Sequence, residues 1–306
     1  EFRRVLFRSV LAFIPTVAAG IVGNQIAKNL KVPFGLIIQD LSGAGAKQSG
    51  LRGGALISRV AHYVEGIAIK AATRIVVVSP AMRDVIIQFG IEESKISKIL
   101  NYSARTIEVE DRKLARNSFG WSTDEFVVVH TGNMGAKQDL ENVVRAADNL
   151  KEYSRVKIYL VGHGNRESKL KTMCEGKKNI AIMAAVSDEE YSSLLSAADL
   201  LLVNERTTQL EMSLPSKLTS YLYSERPVLA AVPRGGATWN FLDGVAELVE
   251  AGDPSALASK IDELSRNQSR LDELAKLGLE FAIEKLDPVV GRAKYLEWVE
   301  KLIPIS

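Results

Sequence analysis

The chain of 306 residues carries 39 basic and 37 acidic side chains and is 46% hydrophobic, which is typical of a soluble globular protein with about two domains. The near balance of charge gives no argument for nucleic acid as a partner, and no apolar run is long enough to span a bilayer. The single Cys174 excludes a disulfide framework and fits a reducing, cytoplasmic compartment, while three histidines make a structural zinc site a poor fit.

The first nine residues do not resemble the start of a natural protein. They begin without methionine, and RRVLFRS at positions 3–9 matches the translation of a common sequencing-library adapter. We expect residues 1–9 not to be native and the N-terminal domain to be truncated. The alternative is a basic signal-peptide start, but Pro15 and the glycines after it interrupt the apolar segment that a signal requires.

Apolar strands and amphipathic helices alternate along the first hundred residues. The predicted strands are 10–14, 32–39, 74–78 and 98–100, and the predicted helices are 18–30, 54–72 and 81–89, the last of them capped by Ser79 and Pro80. A glycine-rich loop, LSGAGAKQSGLRGG, follows Asp40. The helix 54–72 has an apolar face opposite Arg59 and Lys70, which fits packing in a core or contact with a membrane.

A polar stretch at 101–124 is the predicted linker, and a second alternating series follows it. The predicted strands lie near 127–130, 156–161, 180–183, 200–203 and 228–232, and the predicted helices at 140–150, 167–174, 188–197, 217–223, 254–264, 271–283 and 290–302. Such alternation predicts an α/β fold with parallel sheets covered by helices. Two doubly wound domains would bind a ligand in the cleft between them, at the carboxyl ends of the strands.

One stretch, VVVHTGNMGAKQDLENVVRAA at 127–147, passes from a β-branched run through a glycine turn to helical spacing. A strand, a tight turn and a helix start in this order can bind an anion, because the helix N-terminus presents free N–H groups. Gly132 and Gly135 would let a phosphate approach the backbone, and Lys137 adds a charge. The alternative is an ordinary turn between a strand and a helix.

Three later segments have related patterns. LVGHGN at 160–165 is a second glycine turn, LPSKLTSYL at 214–222 starts a helix with Ser216 and Lys217 at its beginning, and VEAGDP at 249–254 joins a strand to a helix. We interpret His130 as a structural histidine, and His163 fits a structural role and a ligand contact equally well. Glu205 follows a strand end, where it could contact a ligand or form a surface ion pair with its neighbour.

Together these segments resemble one family. GNMGAKQDLENVVRAA, LVGHGN, AADLLLVNE, LPSKLTSYLYSERPVLA and EAGDPSALASKI, in this order and spacing, resemble the C-terminal half of family-four GT-B glycosyltransferases. VPFGLIIQDL and RIVVVSPAMRDVIIQFGI fit the N-terminal half, and the nearest subgroup resembles colanic-acid, capsule and O-antigen transferases. The resemblance implies two Rossmann-like domains, 10–115 (truncated) and 116–289, facing a cleft. It also implies a C-terminal helix, 290–306, that crosses back to the first domain and buries Trp298.

The family implies retaining transfer of a hexosyl group from a nucleotide-sugar donor held by the second domain, with no cofactor and no metal. The subgroup implies a polyprenyl-diphosphate-linked glycan as acceptor at the inner face of the plasma membrane. Peripheral association with an anionic membrane surface would then involve Lys47, Arg52, Arg59 and Lys70 of the first domain.

The resemblance also assigns residues. Catalytic roles are expected for Asp40, Lys137 and Lys217, although Asp40 fits a loop cap equally well. The expected donor contacts are Gly132, Asn133, Met134, Gln138, Gly162, His163, Gly164, Arg206, Pro215, Ser216 and Ser220. The sequence departs from the family pattern because the usual glutamate pair would fall at Met212 and Ser220. The usual arginine of the first turn is also replaced, by Asn133, so Lys137, Lys217 and Arg206 must supply the charge that holds the donor.

Three other functions fit parts of the pattern. A GT-B nucleotide-sugar 2-epimerase would have the same domains and donor, and would convert the donor without an acceptor. A non-catalytic nucleotide-sugar-binding subunit would explain the missing glutamates but not the phosphate turns. A periplasmic sugar-binding protein would need a secretory signal, which is not evident.

Overall fold

The structure, a computed structural model, describes residues 7–14, 17–41, 54–102, 107–150, 155–208 and 214–303, with the backbone alone at 17 and 54–58. The chain forms two compact units: the first comprises 1–101, 212–214 and 288–306, and the second comprises 102–211 and 215–287. Each unit is built on a parallel sheet with helices, so the predicted α/β class is confirmed.

The first unit has a four-stranded parallel sheet in the order β1-β2-β3-β4. Its strands are β1 Val10–Ile14, β2 Phe34–Ile38, β3 Arg74–Val77 and β4 Ile96–Lys98, and its helices are α1 Val17–Leu30, α2 Gly54–Ala71 and α3 Pro80–Gln88, with a 3₁₀ turn at Glu93–Lys95. Every residue of β2 is buried, as expected for an apolar run without alternation in a parallel sheet. Ser79 caps α3 by accepting the Met82 N–H at 3.1 Å, as predicted.

The last helix of the chain, Pro288–Leu302, packs on this first sheet. Trp298 and Leu302 are each 2% exposed and contact Ile37. Gly35 makes the close approach possible, because a Cβ at that position would lie 2.7 Å from the Trp298 ring. The predicted burial of Trp298 is therefore confirmed.

The second unit has a six-stranded parallel sheet in the order β10-β9-β8-β5-β6-β7. Its strands are β5 Phe126–Asn133, β6 Val156–His163, β7 Ile180–Met183, β8 Leu200–Asn204, β9 Val228–Val232 and β10 Glu247–Glu250. Its helices are α4 Arg112–Phe119, α5 Leu140–Asn149, α6 Glu167–Cys174, α7 Asp188–Ala197, α8 Lys217–Tyr223, α9 Ala237–Leu242, α10 Pro254–Ser265 and α11 Gln268–Lys285. The last helix of the chain, Pro288–Leu302 of the first unit, is labelled α12. The chain runs outward from β5 to β7, then returns to β8 on the other side of β5. This reversal places the topological switch point beside β5, where ligands bind in open α/β sheets.

The predicted linker at 101–124 is wrong in part, because it contains helix α4. Asp111 caps this helix by accepting N–H groups of the next turn, and Arg116 lies on its buried side at 2% exposure. Arg116 donates to the Ala197 carbonyl at 3.0 Å and pairs with Asp199. A helix that buries an arginine lacks the apolar spacing on which the sequence prediction depended. Helix α9 was also not predicted.

Several predicted features lie outside the described residues: the adapter-like residues 1–6, most of the glycine-rich loop with Lys47 and Arg52, and Met212. Within the described part of the chain, no helix combines the length and the apolar character needed to cross a membrane.

Candidate functional site

A cleft of about 610 Å³ lies in the second unit, at the carboxyl ends of β5, β6 and β7. The volume is in the range of small-molecule sites. It is lined by Thr131, Gly132, Asn133, Gln138, Val161, Gly162, His163, Ala185, Val186, Tyr191, Leu194, Pro215, Ser216, Lys217 and Ser220. Two glycine turns thus form one side, and the start of helix α8 forms another.

The glycine turns pack directly on each other. Gly132 pairs with Gly162 across β5 and β6, and both have positive φ, 115° and 145°. A Cβ at Gly162 would lie 2.0 Å from the Gly132 carbonyl oxygen, and one at Gly164 would lie 2.5 Å from the Met134 carbonyl oxygen. Glycine is therefore needed in these turns so that the two strand ends can meet. The backbone of Gly132 is exposed and is accessible to a ligand.

Lys217 is held by a buried histidine. Its Nζ lies 3.1 Å from His130 Nε2, and His130 Nδ1 lies 2.9 Å from the Leu202 carbonyl oxygen. Because a carbonyl oxygen only accepts, Nδ1 carries the proton and Nε2 accepts from Lys217. Burial and the Lys217 ammonium hold the pKa of His130 well below its ordinary value, so the imidazole stays neutral. The sequence interpretation of His130 as purely structural missed this contact.

A buried tyrosine fixes the end of β5. The Tyr221 hydroxyl accepts the Thr131 N–H at 2.8 Å and lies 3.1 Å from Thr131 Oγ1, which is 3.3 Å from the Tyr191 hydroxyl. Burial raises the pKa of Tyr221 far above its ordinary value, so this hydroxyl keeps its proton. Thr131 and Tyr191 line the cleft, and neither was predicted; the position of Tyr191 in α7, soon after β7, was the available signal.

Most of the residues expected to hold the donor come together in this cleft. They are Gly132, Asn133, Gln138, Gly162, His163, Pro215, Ser216, Ser220 and, with an expected catalytic role, Lys217. The turns and the start of α8 are far apart in sequence, and the parallel sheet brings their strand ends to one edge.

Five expected site residues do not line the cleft. The side chain of Met134 is fully buried in the core of the second unit, and Gly164 packs beneath its carbonyl group. Lys137 and Arg206 are exposed beside each other, with the Arg206 N–H donating to the Lys137 carbonyl at 2.9 Å. Asp40 belongs to the first unit, and its Oδ1 accepts the Leu41 N–H at 2.8 Å, as a loop cap does.

Other polar residues near the strand ends have structural contacts. Glu205 is only 6% exposed and accepts the Thr238 hydroxyl at 2.7 Å, so it is not a surface ion pair. Ser216 precedes α8 and makes no side-chain capping bond to it. Among the described residues, no group of three or more His, Cys, Asp or Glu side chains could hold a metal ion.

The lowered pKa of His130 predicts a pH dependence of stability. The unfolded chain takes up a proton at His130 below its ordinary pKa of about 6.5, whereas the folded chain does not. The free energy of unfolding should therefore fall as the pH decreases below that value, by up to about 1.4 kcal/mol per pH unit. Denaturant unfolding at pH 7.5, 6.5 and 5.5 would measure it. His130→Gln should flatten the profile, and equal slopes in both proteins would contradict the account.

Two units with parallel sheets, one of them carrying a glycine-turn cleft at its strand ends, define the GT-B class of glycosyltransferases. The glycosyl transferases group 1 family matches residues 111–280, more than half of the chain. The chain belongs to this family.

Named relatives agree with this assignment. The chain is 27% identical over 222 residues to a protein of Escherichia coli (strain K12) whose name describes a colanic acid biosynthesis glycosyl transferase, WcaI. That match covers 70% of this chain and 54% of the relative, so the chain spans about half the length of the curated relative it matches.

Solved structures show the same fold. HepE of Anabaena in complex with UDP-glucose has a TM-score of 0.77 at 17% identity, covering 95% of this chain and 78% of its own. Sucrose-phosphate synthase of Thermosynechococcus elongatus also has a TM-score of 0.77, at 16% identity, covering 97% of this chain and 74% of its own. At these identities the likeness supports the GT-B fold alone.

Proposed function

We propose that this chain binds a nucleotide-sugar in the second unit and transfers its hexosyl group, with retention, to a glycan acceptor in cell-surface polysaccharide synthesis. The observation that carries the proposal is the cationic Nζ of Lys217, held by His130 beside the exposed Gly132 turn in a cleft of ligand size. The name of the colanic acid relative and the UDP-glucose complex of HepE support the acceptor class and the donor class.

The cleft offers separate surfaces for the parts of a donor. Its cationic and glycine-lined side, formed by Gly132, Asn133 and Lys217, suits a diphosphate. The wall of Ala185 and Val186 has the apolar character that suits a nucleobase. The charge of Lys217 has to supply most of the attraction, because α8 has only 7 residues and its helix dipole is small.

Lys217 also suits the chemistry of transfer. When the sugar leaves, negative charge grows on the β-phosphate, and a fixed cation stabilises that charge more than it stabilises the bound donor. In a retaining reaction the departing phosphate oxygen can take the acceptor proton. A protein base is then not required for the transfer. Lys137, Arg206 and Asp40 stay proposed contacts of the donor and acceptor.

A panel of UDP-, GDP- and dTDP-sugars, with and without acceptor, tests this function in the full-length protein. Sugar transfer that depends on the acceptor supports the proposal. Conversion of the donor alone to its C2 epimer would instead identify an epimerase, and donor binding without either reaction would identify a non-catalytic subunit.

The acceptor is proposed to be linked to polyprenyl diphosphate, and the first unit offers a surface for the membrane that carries it. Helices α1 and α2 contact each other, with Gly20 against Ala68. Their exposed apolar side chains are Ile21, Val22, Ile26, Leu30, Val60, Tyr63 and Ile67. The exposed charges on their described side chains are basic, Lys28, Arg59 and Lys70, since the acidic Glu65 is buried. An apolar face with a basic rim suits an anionic lipid surface.

Full-length protein should therefore co-sediment with anionic liposomes at low salt and dissociate at high salt, because each cation near such a surface contributes only about 1 kcal/mol. Arg59→Glu with Lys70→Glu should weaken the partition at least about tenfold, since two attractive charges become repulsive. The matched control is Lys171→Glu with Lys276→Glu, two exposed lysines of the second unit. Equal sedimentation of both double variants would contradict this docking surface.

A further inference from the structure

We infer that His130 is a positioning residue that aims the Lys217 ammonium at the donor diphosphate while leaving its charge intact. The inference rests on the proposed function and adds to it a role for a buried residue that does not line the cleft. Three observations carry it: the tautomer of His130, the position of Lys217 Nζ, and the neutrality of the His130 ring.

The tautomer is set by the backbone. His130 lies within β5 and is 0% exposed, and its Nδ1 donates to the carbonyl of Leu202 on the neighbouring strand β8. That bond turns Nε2, with its lone pair, towards Lys217 at 3.1 Å. The sheet therefore fixes the ring, and the ring provides a rigid acceptor for the end of a flexible lysine side chain.

The ammonium is held against the glycine turn. A Cβ at Gly132 would lie 3.4 Å from Lys217 Nζ, an ordinary van der Waals distance, so the ammonium lies directly beside this turn. Lys217 is the first residue of α8, and the glycine turn lies at the end of β5. The hydrogen bond from Lys217 to His130 of β5 therefore connects two elements that both line the cleft. A lysine that is already oriented loses less conformational freedom when the diphosphate binds.

The contact of Lys217 with His130 differs from an ion pair because the imidazole is neutral. A carboxylate at the position of Nε2 would also orient the lysine, but its charge would offset the cation and compete with phosphate. An imidazole kept neutral by burial accepts one hydrogen bond and does not itself offset the positive charge of the ammonium. The same burial disfavours a doubly protonated ring that would repel Lys217.

A double-mutant cycle on the full-length protein, with UDP as the probe in calorimetry, tests the inference. His130→Asn can keep a donor near the Leu202 carbonyl but loses the acceptor for Lys217, and should raise the Kd for UDP roughly tenfold. His130→Gln carries an acceptor at about the reach of Nε2 and should restore the affinity to within about threefold of wild type. In a Lys217→Met background, His130→Asn should change the Kd less than about twofold.

A purely structural role gives a different result. Equal losses from His130→Asn with and without Lys217 would overturn the inference, as would a folded His130→Gln that binds no better than His130→Asn. Nitrogen NMR of the ligand-free protein tests the pairing itself, even where a variant fails to fold. It should show His130 protonated at Nδ1 only, with an Nε2 signal that moves in Lys217→Met; a signal unchanged by Lys217→Met would reject the pairing. If wild-type protein shows this pairing yet binds no UDP, GDP or dTDP, the proposed function fails and the positioning role falls with it.

Discussion

Replacing Lys217 by alanine should weaken nucleoside-diphosphate binding by about 10- to 150-fold, or roughly 1.5–3 kcal/mol, the usual range for a charge-assisted hydrogen bond. The loss is expected to be large because no other lysine or arginine is among the residues that line the described cleft. Removing the lysine also leaves His130 Nε2 without this donor. Calorimetric titration of UDP and GDP into the full-length protein would measure the change.

Lys171→Ala is the matched control for this experiment. Lys171 is an exposed lysine of the same unit that pairs with Glu167 four residues earlier and does not line the cleft. An exposed ion pair of this kind contributes little to the stability of the fold. Because Lys171 also does not line the cleft, the affinity for the nucleotide should not change. Equal affinity of the wild type and Lys217→Ala for the nucleotide would contradict a contact between Lys217 and the diphosphate.

Replacing Gly162 by alanine should destabilise the second unit by about 3–5 kcal/mol, because strain and overpacking add at this position. The residue has φ of 145°, a conformation that side chains avoid. The added Cβ would also lie 2.0 Å from the Gly132 carbonyl oxygen, and a backbone atom on a paired strand cannot move aside cheaply. Denaturant unfolding monitored by circular dichroism would give the change in the free energy of unfolding.

Gly176→Ala is the control, a glycine of positive φ where an added methyl group meets no neighbour. Gly176 has φ of 76°, and a Cβ added there would meet no atom within 4 Å, so alanine should cost only the conformational strain, about 1–2 kcal/mol. The excess at Gly162 then contains the contact between the two glycine turns together with the greater backbone strain of φ 145° compared with 76°. Equal losses at both positions would show that the turns do not pack as described.

Much of the fold could be predicted because its elements have strong local signals. Strands such as Ile180–Met183 and Val228–Val232 are short apolar runs between turns, and their predicted bounds match the structure. Helix α4 was missed because its buried face contains Arg116, whose partners Asp199 and Ala197 are more than 80 residues away. Local spacing cannot show that a charge will be buried when its partner is so remote.

The site was predictable in outline for a similar reason. Glycine turns after strands identify backbone that will lie at the edge of a parallel sheet, so Gly132 and Gly162 were found from the sequence. The pairing of His130 with Lys217 was not found, since the two residues are 87 positions apart and meet only when β5 and α8 pack together. Met134 shows the opposite failure: its place in a recognisable turn suggested a ligand contact, but its side chain completes the core.

The most direct test of the proposed function is a crystal structure of the full-length protein with whichever of UDP, GDP and dTDP binds most tightly. The account predicts the diphosphate within hydrogen-bonding distance of Lys217 Nζ, beside the backbone of Gly132, with the base against Ala185 and Val186. A nucleotide bound elsewhere, with this cleft empty at saturating concentration, would contradict the account.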